Sequence, residues 1–197
     1  NQTRPYVHGK VVWAALTARL TRNGFKSPDQ YFVGKTSYER TGNLLKHYMA
    51  FSYLFPSLKK DATEALMPKY ESGQLKYGDK TESEFQYLVM DSYASTSLDY
   101  SMRSAEEGSL HETEFIRPHT RKDNEDVHKI YLVGYLFMKE GFEDQLKSNT
   151  QDLNNILNQV QLGGERRYGW GRVDFLKDEF KEVDVIFQNW KLENNGE

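Results

Sequence analysis

Four glycines fall within the eleven-residue segment GGERRYGWGRV that runs from Gly163 to Val173. So much backbone freedom marks a stretch that must enter left-handed conformations or bring its main chain close to another group. Its setting narrows the choice. Before it, Asp152 opens a short helix with Leu153, Ile156, Leu157 and Val160 as one apolar stripe; after it, GRVDFL has the composition of a strand. Gly164 to Gly169 has the GxxxxG spacing of a phosphate-binding loop, yet Trp170 and Gly171 stand where that loop needs Lys and then Ser or Thr. The connectivity is also reversed, because phosphate-binding loops and dinucleotide fingerprints join a strand to the start of a helix. ATP and NAD sites are both excluded.

The remaining elements are read from periodicity. HGKVVWAALTARLTRNG predicts a helix with Val12, Leu16 and Leu20 spaced by four and Gly24 placed to stop it, and SYERTGNLLKHY predicts a second, more polar one. MAFSYLFPS from Met49 reads as an aromatic strand ended by Pro56. In EFQYLVMDSYAS, Phe85, Tyr87 and Val89 alternate with Gln86, Leu88 and Met90, which is strand chemistry. Residues 96–120 read as a long hairpin with AEEG at its tip, followed by the charged, mobile segment RKDNEDVH. KIYLVGYLFM from Lys129 is apolar enough for the middle of a sheet, and EVDVIFQNW is the last strand. The order helix, strand, strand, helix, glycine loop, strand matches an α+β, ferredoxin-like βαββαβ unit with its first strand unaccounted for, since residues 1–5 are too short to form it; either the sequence lacks its true beginning or the fold is a variant.

Composition bounds the partners. A chain of 197 residues with 38% apolar and 14% aromatic content suits one domain over residues 1–197, with excursions at 59–83 and 96–128. The net charge of −3 confines any polyanion site to a local basic patch. Without cysteine there is no disulfide, thiolate metal site or cysteine nucleophile, which fits a reducing compartment. The longest apolar run, VVWAAL, is far short of the ~20 residues of a membrane span, and no secretory signal is visible, so a cytoplasmic protein without membrane contact is expected. His111 and Glu112 point to opposite faces of a strand, so His111, Glu112 and Glu114 do not make a metal site.

GWGRVDF resembles the Gly-aromatic-Gly-x-Val-x-aromatic strand of RNA-recognition modules, but that strand needs a helix and another strand after it, and only one clear strand follows. GGERRYGWGRV, between the last helix and last strand, instead resembles the glycine-rich loop of the RAMP superfamily, the RNA-binding subunits of CRISPR effector complexes. Two further stretches carry the same resemblance. YVHGKVVWAALTARL is similar to the first helix of that family, and TSLDYSMRSAEEGSLHETEFI to its hairpin, in which an aspartate and an arginine precede a small-acidic-glycine turn.

The resemblance implies a non-catalytic subunit that holds the 5′ handle of CRISPR RNA and contacts backbone RAMPs and a large subunit, with target nucleic acid reached indirectly and no cofactor or metal. Gly163, Gly164, Gly169 and Gly171 would bring backbone N–H groups to phosphate, Arg166, Arg167 and Arg172 would neutralise it, and Tyr168 or Trp170 would stack on a base, worth roughly 1–3 kcal/mol. His8, Gly9 and Lys10 would present the first helix's N-terminus to an anion, so that both anion sites adjoin one RNA strand, and Arg103 and Arg117 would add contacts from the hairpin. Two alternatives stay open. A backbone RAMP would line the guide and cleave target RNA through Asp91 or Asp99, and a repeat-processing endoribonuclease would use His8 as general base.

Overall fold

The computed structural model describes residues 3–26, 35–99, 104–105, 109–121, 126–149, 152–158, 160–186 and 190–191. Five α-helices occur among them: α1 (Gly9–Arg22), α2 (Ser37–Tyr48), α3 (Glu82–Val89), α4 (Phe142–Ser148) and α5 (Leu153–Leu157). The strands are short and every pairing among the described residues is antiparallel, and the protein is α+β. Backbone contacts group the chain into two compact units, residues 1–6 with 55–133 and residues 7–54 with 134–197.

The second unit carries the element order expected from the sequence. α1 begins at Gly9, with His8 as its N-cap, and stops at Asn23, beyond which Gly24 adopts φ +74°. Its stripe of Val12, Ala15, Leu16 and Leu20 is buried together with Leu44 and Leu45 of α2, Phe142 and Leu146 of α4 and Ile156 of α5. Each fully buried leucine here contributes about 1.5–3 kcal/mol. α2 starts with a reciprocal capping box between Thr36 and Glu39. It approaches α1 closely because Gly42 has no side chain: Trp13 Nε1 donates to the Gly42 carbonyl at 3.0 Å, and a Cβ on Gly42 would lie 2.9 Å from the indole. Strand Met49–Phe51 follows and pairs with Leu136–Met138. α5 then leads through a two-residue strand, Val160–Gln161, into the glycine segment and out to Arg172–Val173. The stripe of the last helix is thus divided, with Val160 buried on a strand after the helix has ended at Leu157. EVDVIFQNW is likewise two short strands, Val185–Ile186 against Trp190–Lys191.

The other unit departs further from expectation. EFQYLV is helical, not extended, because Thr81 and Glu84 form a capping box and Phe85 and Val89 lie one turn apart. Phe85 and Val89 are buried while Tyr87 is 44% exposed, so the helical period decides. A strand starts only at Met90; Met90–Ser95 pairs with His111–Ile116 and, nearer the turn, Leu98–Asp99 with Ser104–Ala105. AEEG is therefore not the hairpin tip, for Ala105 already sits opposite Leu98. The segment 59–83 builds a three-stranded sheet, Pro68–Glu71, Gln74–Tyr77 and Lys80–Thr81, whose first turn puts Ser72 and Gly73 at positive φ. Tyr77 stacks on Phe85 at 4.2 Å within a core of Leu66, Val89 and Ile130, and burial raises its hydroxyl above the ordinary tyrosine value, with Glu82 adding to the effect.

Two expectations about apolar strands are corrected. Pro56 does not end its strand; it lies inside Phe55–Ser57, opposite Leu132, where a two-stranded ladder tolerates the missing donor. KIYLVGYLFM is not a central strand. It breaks into Tyr131–Val133 and Leu136–Met138, each half-buried and paired on one side. Gly134 separates them, at a place where a Cβ would come within 2.6 Å of the Tyr53 carbonyl. Residues 122–125 of the charged segment, and Glu106 to Gly108 of AEEG, lie outside the described residues.

Candidate nucleic-acid interface

The glycine segment is the connection of a β-hairpin. Val160 pairs with Val173 and Gln161 with Arg172, and Leu162 N–H donates to the Gly171 carbonyl at 2.8 Å, which continues the register by one residue. Between these arms the chain turns through Gly163 (φ +85°), Glu165 (φ +51°), a single 3₁₀ turn over Arg166–Tyr168, and Gly169 (φ +85°). The glycines do different work. A Cβ at Gly163, Gly164 or Gly169 would meet nothing within 4 Å, so positive φ is the only constraint at 163 and 169. At Gly171, φ is +75° and a Cβ would lie 1.9 Å from the Leu162 carbonyl oxygen, so both conformation and space require glycine.

The loop presents its charges outward. Arg166, Arg167 and Arg172 are exposed, Tyr168 is 80% exposed and Trp170 is half-buried. Among the described residues Arg166 and Arg167 make no ion pair, and Arg172 has only a 3.9 Å approach to Asp174. Arg166 also helps line an open cavity of about 310 Å³ with Arg19, Arg22 and Asn23 at the end of α1, and no carboxylate stands among its lining residues. Sequence reading passed over Arg19 and Arg22. The signal was present, since both lie in the last turn of a helix running toward the loop, but a basic last turn is also ordinary complement to the helix dipole.

His8, Gly9 and Lys10 sit at the opposite end of α1, about 18 Å away as Lys10 is from Arg22 at 1.5 Å per residue. They form a helix start in which no side chain of the first turn is acidic. His8 Nδ1 accepts the Lys10 N–H at 3.2 Å, and its ring packs at 4.6 Å against Tyr53. Gly9 is buried against strand backbone, its Cβ position 2.3 Å from the Phe51 carbonyl oxygen, while Lys10 is exposed. α1 therefore carries a basic group at each end. The two anion sites read from the sequence stand apart along one helix and do not merge into a single pocket.

The hairpin residues are placed differently. Arg117 donates through Nη1 to Asp91 Oδ2 and through Nε to the His119 carbonyl at 3.1 Å. Arg121 binds the other oxygen of Asp91 at 3.1 Å and lies 5.0 Å over the ring of Tyr87. Asp91 is thus held by two guanidinium groups in the unit that lacks the glycine loop. Asp99 lies in the strand Leu98–Asp99, opposite Ser104. Arg103 falls outside the described residues. His111 Nε2 is 2.9 Å from Ser95 Oγ, and Glu114 accepts the Thr3 N–H at 2.7 Å. Among the described residues no three His, Asp or Glu side chains are grouped to hold a metal ion, and no helix is long and apolar enough to cross a membrane.

No curated protein matches the chain. The model of the RAMP superfamily matches residues 2–174, a span that begins before α1, takes in the hairpin and ends just beyond the strand that leaves the glycine loop. Helix, hairpin and loop are thus parts of one family pattern, and their setting gives the chain a coarse role as a CRISPR-associated, RNA-binding protein. The chain belongs to the RAMP superfamily.

Proposed function

We propose that this chain is a non-catalytic subunit of a CRISPR effector ribonucleoprotein, that it holds the 5′ handle of the CRISPR RNA, and that it docks against backbone RAMPs and a large subunit. The observation that carries the reading is the pair of exposed arginines at 166 and 167, raised on a hairpin connection and not neutralised by any described carboxylate. Arg22 and Arg166 share a cavity that suits a phosphate, and Tyr168 offers an exposed ring to a base. Lys10 and the N–H groups opening α1 provide a second point of attraction. A strand following α1 from one end to the other meets positive charge at both.

Two features speak for binding without cleavage. His8 is occupied as an N-cap through Nδ1. Asp91, one of the two aspartates through which a backbone RAMP would cleave target RNA, is engaged by Arg117 and Arg121. Purified chain is expected to bind CRISPR RNA bearing its 5′ handle more tightly than the same RNA without it, and to leave repeat and target RNA intact. Equal affinity for both RNAs would remove handle recognition from the reading. Cleavage abolished by His8→Ala would replace it with the processing enzyme.

A further inference from the structure

Beside α5 lies a second open cavity, about 460 Å³, whose wall is chemically unlike the arginine-lined one: Asp152, Asn154, Asn155, Asn158, Phe175 and Lys177. Two of these polar side chains have structural tasks. Asp152 caps α5, taking the Asn155 N–H at 3.0 Å, and Asn155 Nδ2 donates back to Asp152. Asn154 and Asn158 have none. They stand one helical turn apart, and among the described residues neither side-chain amide makes a hydrogen bond. Each amide offers a donor and an acceptor side by side. Phe175 is half-buried and meets Phe180 edge-on at 5.4 Å, while Lys177 is exposed. The cavity therefore unites a ring, two free amides and an ammonium group.

We propose that this cavity is a reading site for one unpaired nucleobase of single-stranded RNA, with adenine preferred. Phe175 supplies the stacking surface, Asn154 and Asn158 pair with the base edge, and Lys177 meets the adjoining phosphate. Adenine is favoured because an asparagine amide matches its neighbouring donor and ring-nitrogen acceptor in a bidentate pair. The position suits a strand held by the glycine loop, since Phe175 is two residues beyond the strand Arg172–Val173 that leaves it. The inference rests on the RNA-binding reading. It adds a point of base selectivity, and its walls at Phe175 and Lys177 lie past residue 174, where the family match ends.

The test uses the full chain and two probes. Fluorescence titrations compare single-stranded RNAs in which each position in turn is adenosine, uridine or abasic. The expected result is one position where adenosine binds roughly tenfold more tightly than uridine, within the range of a bidentate base contact. Asn154→Ala with Asn158→Ala should erase that preference and leave abasic RNA bound as before, whereas Phe175→Ala should weaken every base at that position. A preference that survives the double asparagine change overturns the proposal while leaving RNA binding by the loop intact. Should the chain bind no RNA at all, the proposed function fails first, and adenosine monophosphate then decides the cavity on its own. Its addition should shift the side-chain amide signals of Asn154 and Asn158 in NMR spectra, and ribose 5-phosphate should not; signals unmoved by either overturn the reading site.

Discussion

Arg166 and Arg167 in the glycine loop, and Arg117 and Arg121 on the hairpin, are equally positive and differ in what faces them. The hairpin pair closes on Asp91 within its own unit, with the guanidinium of Arg121 over the ring of Tyr87. Among the described residues the loop pair makes no ion pair. A guanidinium that already has a carboxylate must give up that partner before it can take a phosphate, whereas an open one loses only hydration. Clusters of arginine in a sequence thus divide into those that pair within the fold and those that stay open. Composition does not separate them.

The largest effect that sharpens this contrast comes from the backbone carrying the loop. Gly171→Val meets both the left-handed φ and the Leu162 carbonyl, and should cost on the order of 3 kcal/mol or more, read as a lowered Tm with RNA binding lost at every salt concentration. Gly169→Val faces the φ alone and should cost about 1–2 kcal/mol. Equal melting of the two variants would show that the close approach at 171 does not matter. Next in size, Arg166→Ala with Arg167→Ala should weaken binding for all RNA sequences alike and lower the salt dependence by up to about 0.7 for each phosphate no longer neutralised. An unchanged slope would make the loop a structural turn.

The hairpin should give the opposite pattern. Asp91→Asn removes the carboxylate from two part-buried guanidiniums and should cost roughly 1 kcal/mol of stability with no loss of RNA affinity. Weaker RNA binding by a well-folded Asp91→Asn protein would erase the distinction between the two arginine sets. The smallest effect is acid sensitivity. Glu84 is held below the ordinary carboxylate range by the N–H and hydroxyl of Thr81, and Glu71 by its hydrogen bond to Lys76 and the charge of Lys69. Both groups are depressed in the folded state, so their contribution is present above the ordinary carboxylate value and is lost as pH falls through the folded one. Melts from pH 7 to pH 3 should show this fall, and Glu84→Gln should make it shallower.

Local signals carried much of this structure into the sequence. α1 was legible from four-residue apolar spacing and a glycine stop, α2 as a more polar helix over SYERTGNLLKHY, and the glycine loop from its connectivity. α3 was misread because Phe85, Tyr87 and Val89 satisfy a two-residue alternation while Phe85 and Val89 also satisfy a helical turn, and only the Thr81–Glu84 capping box distinguishes the two. The division of KIYLVGYLFM at Gly134 depends on the Tyr53 carbonyl, a residue more than eighty positions away, so no local pattern could show it. The same holds for the interface. Its exposed arginines were visible as a motif, but Arg22 beside Arg166, and Asn154 and Asn158 beside Phe175, are brought together only by folding.

The pairing of Leu162 with Gly171 beneath the loop has a practical side. Because the two arms meet there in register, the eight residues from Gly163 to Trp170 form a removable cassette whose ends are already neighbours. An Asn-Gly turn in their place would close the hairpin with a shorter loop and a smaller entropy of closure. On the proposed function, the result would be a folded chain, intact in its helices and its asparagine-lined cavity, with the loop's arginines removed from RNA binding. Such a chain would separate assembly from RNA capture in a single exchange.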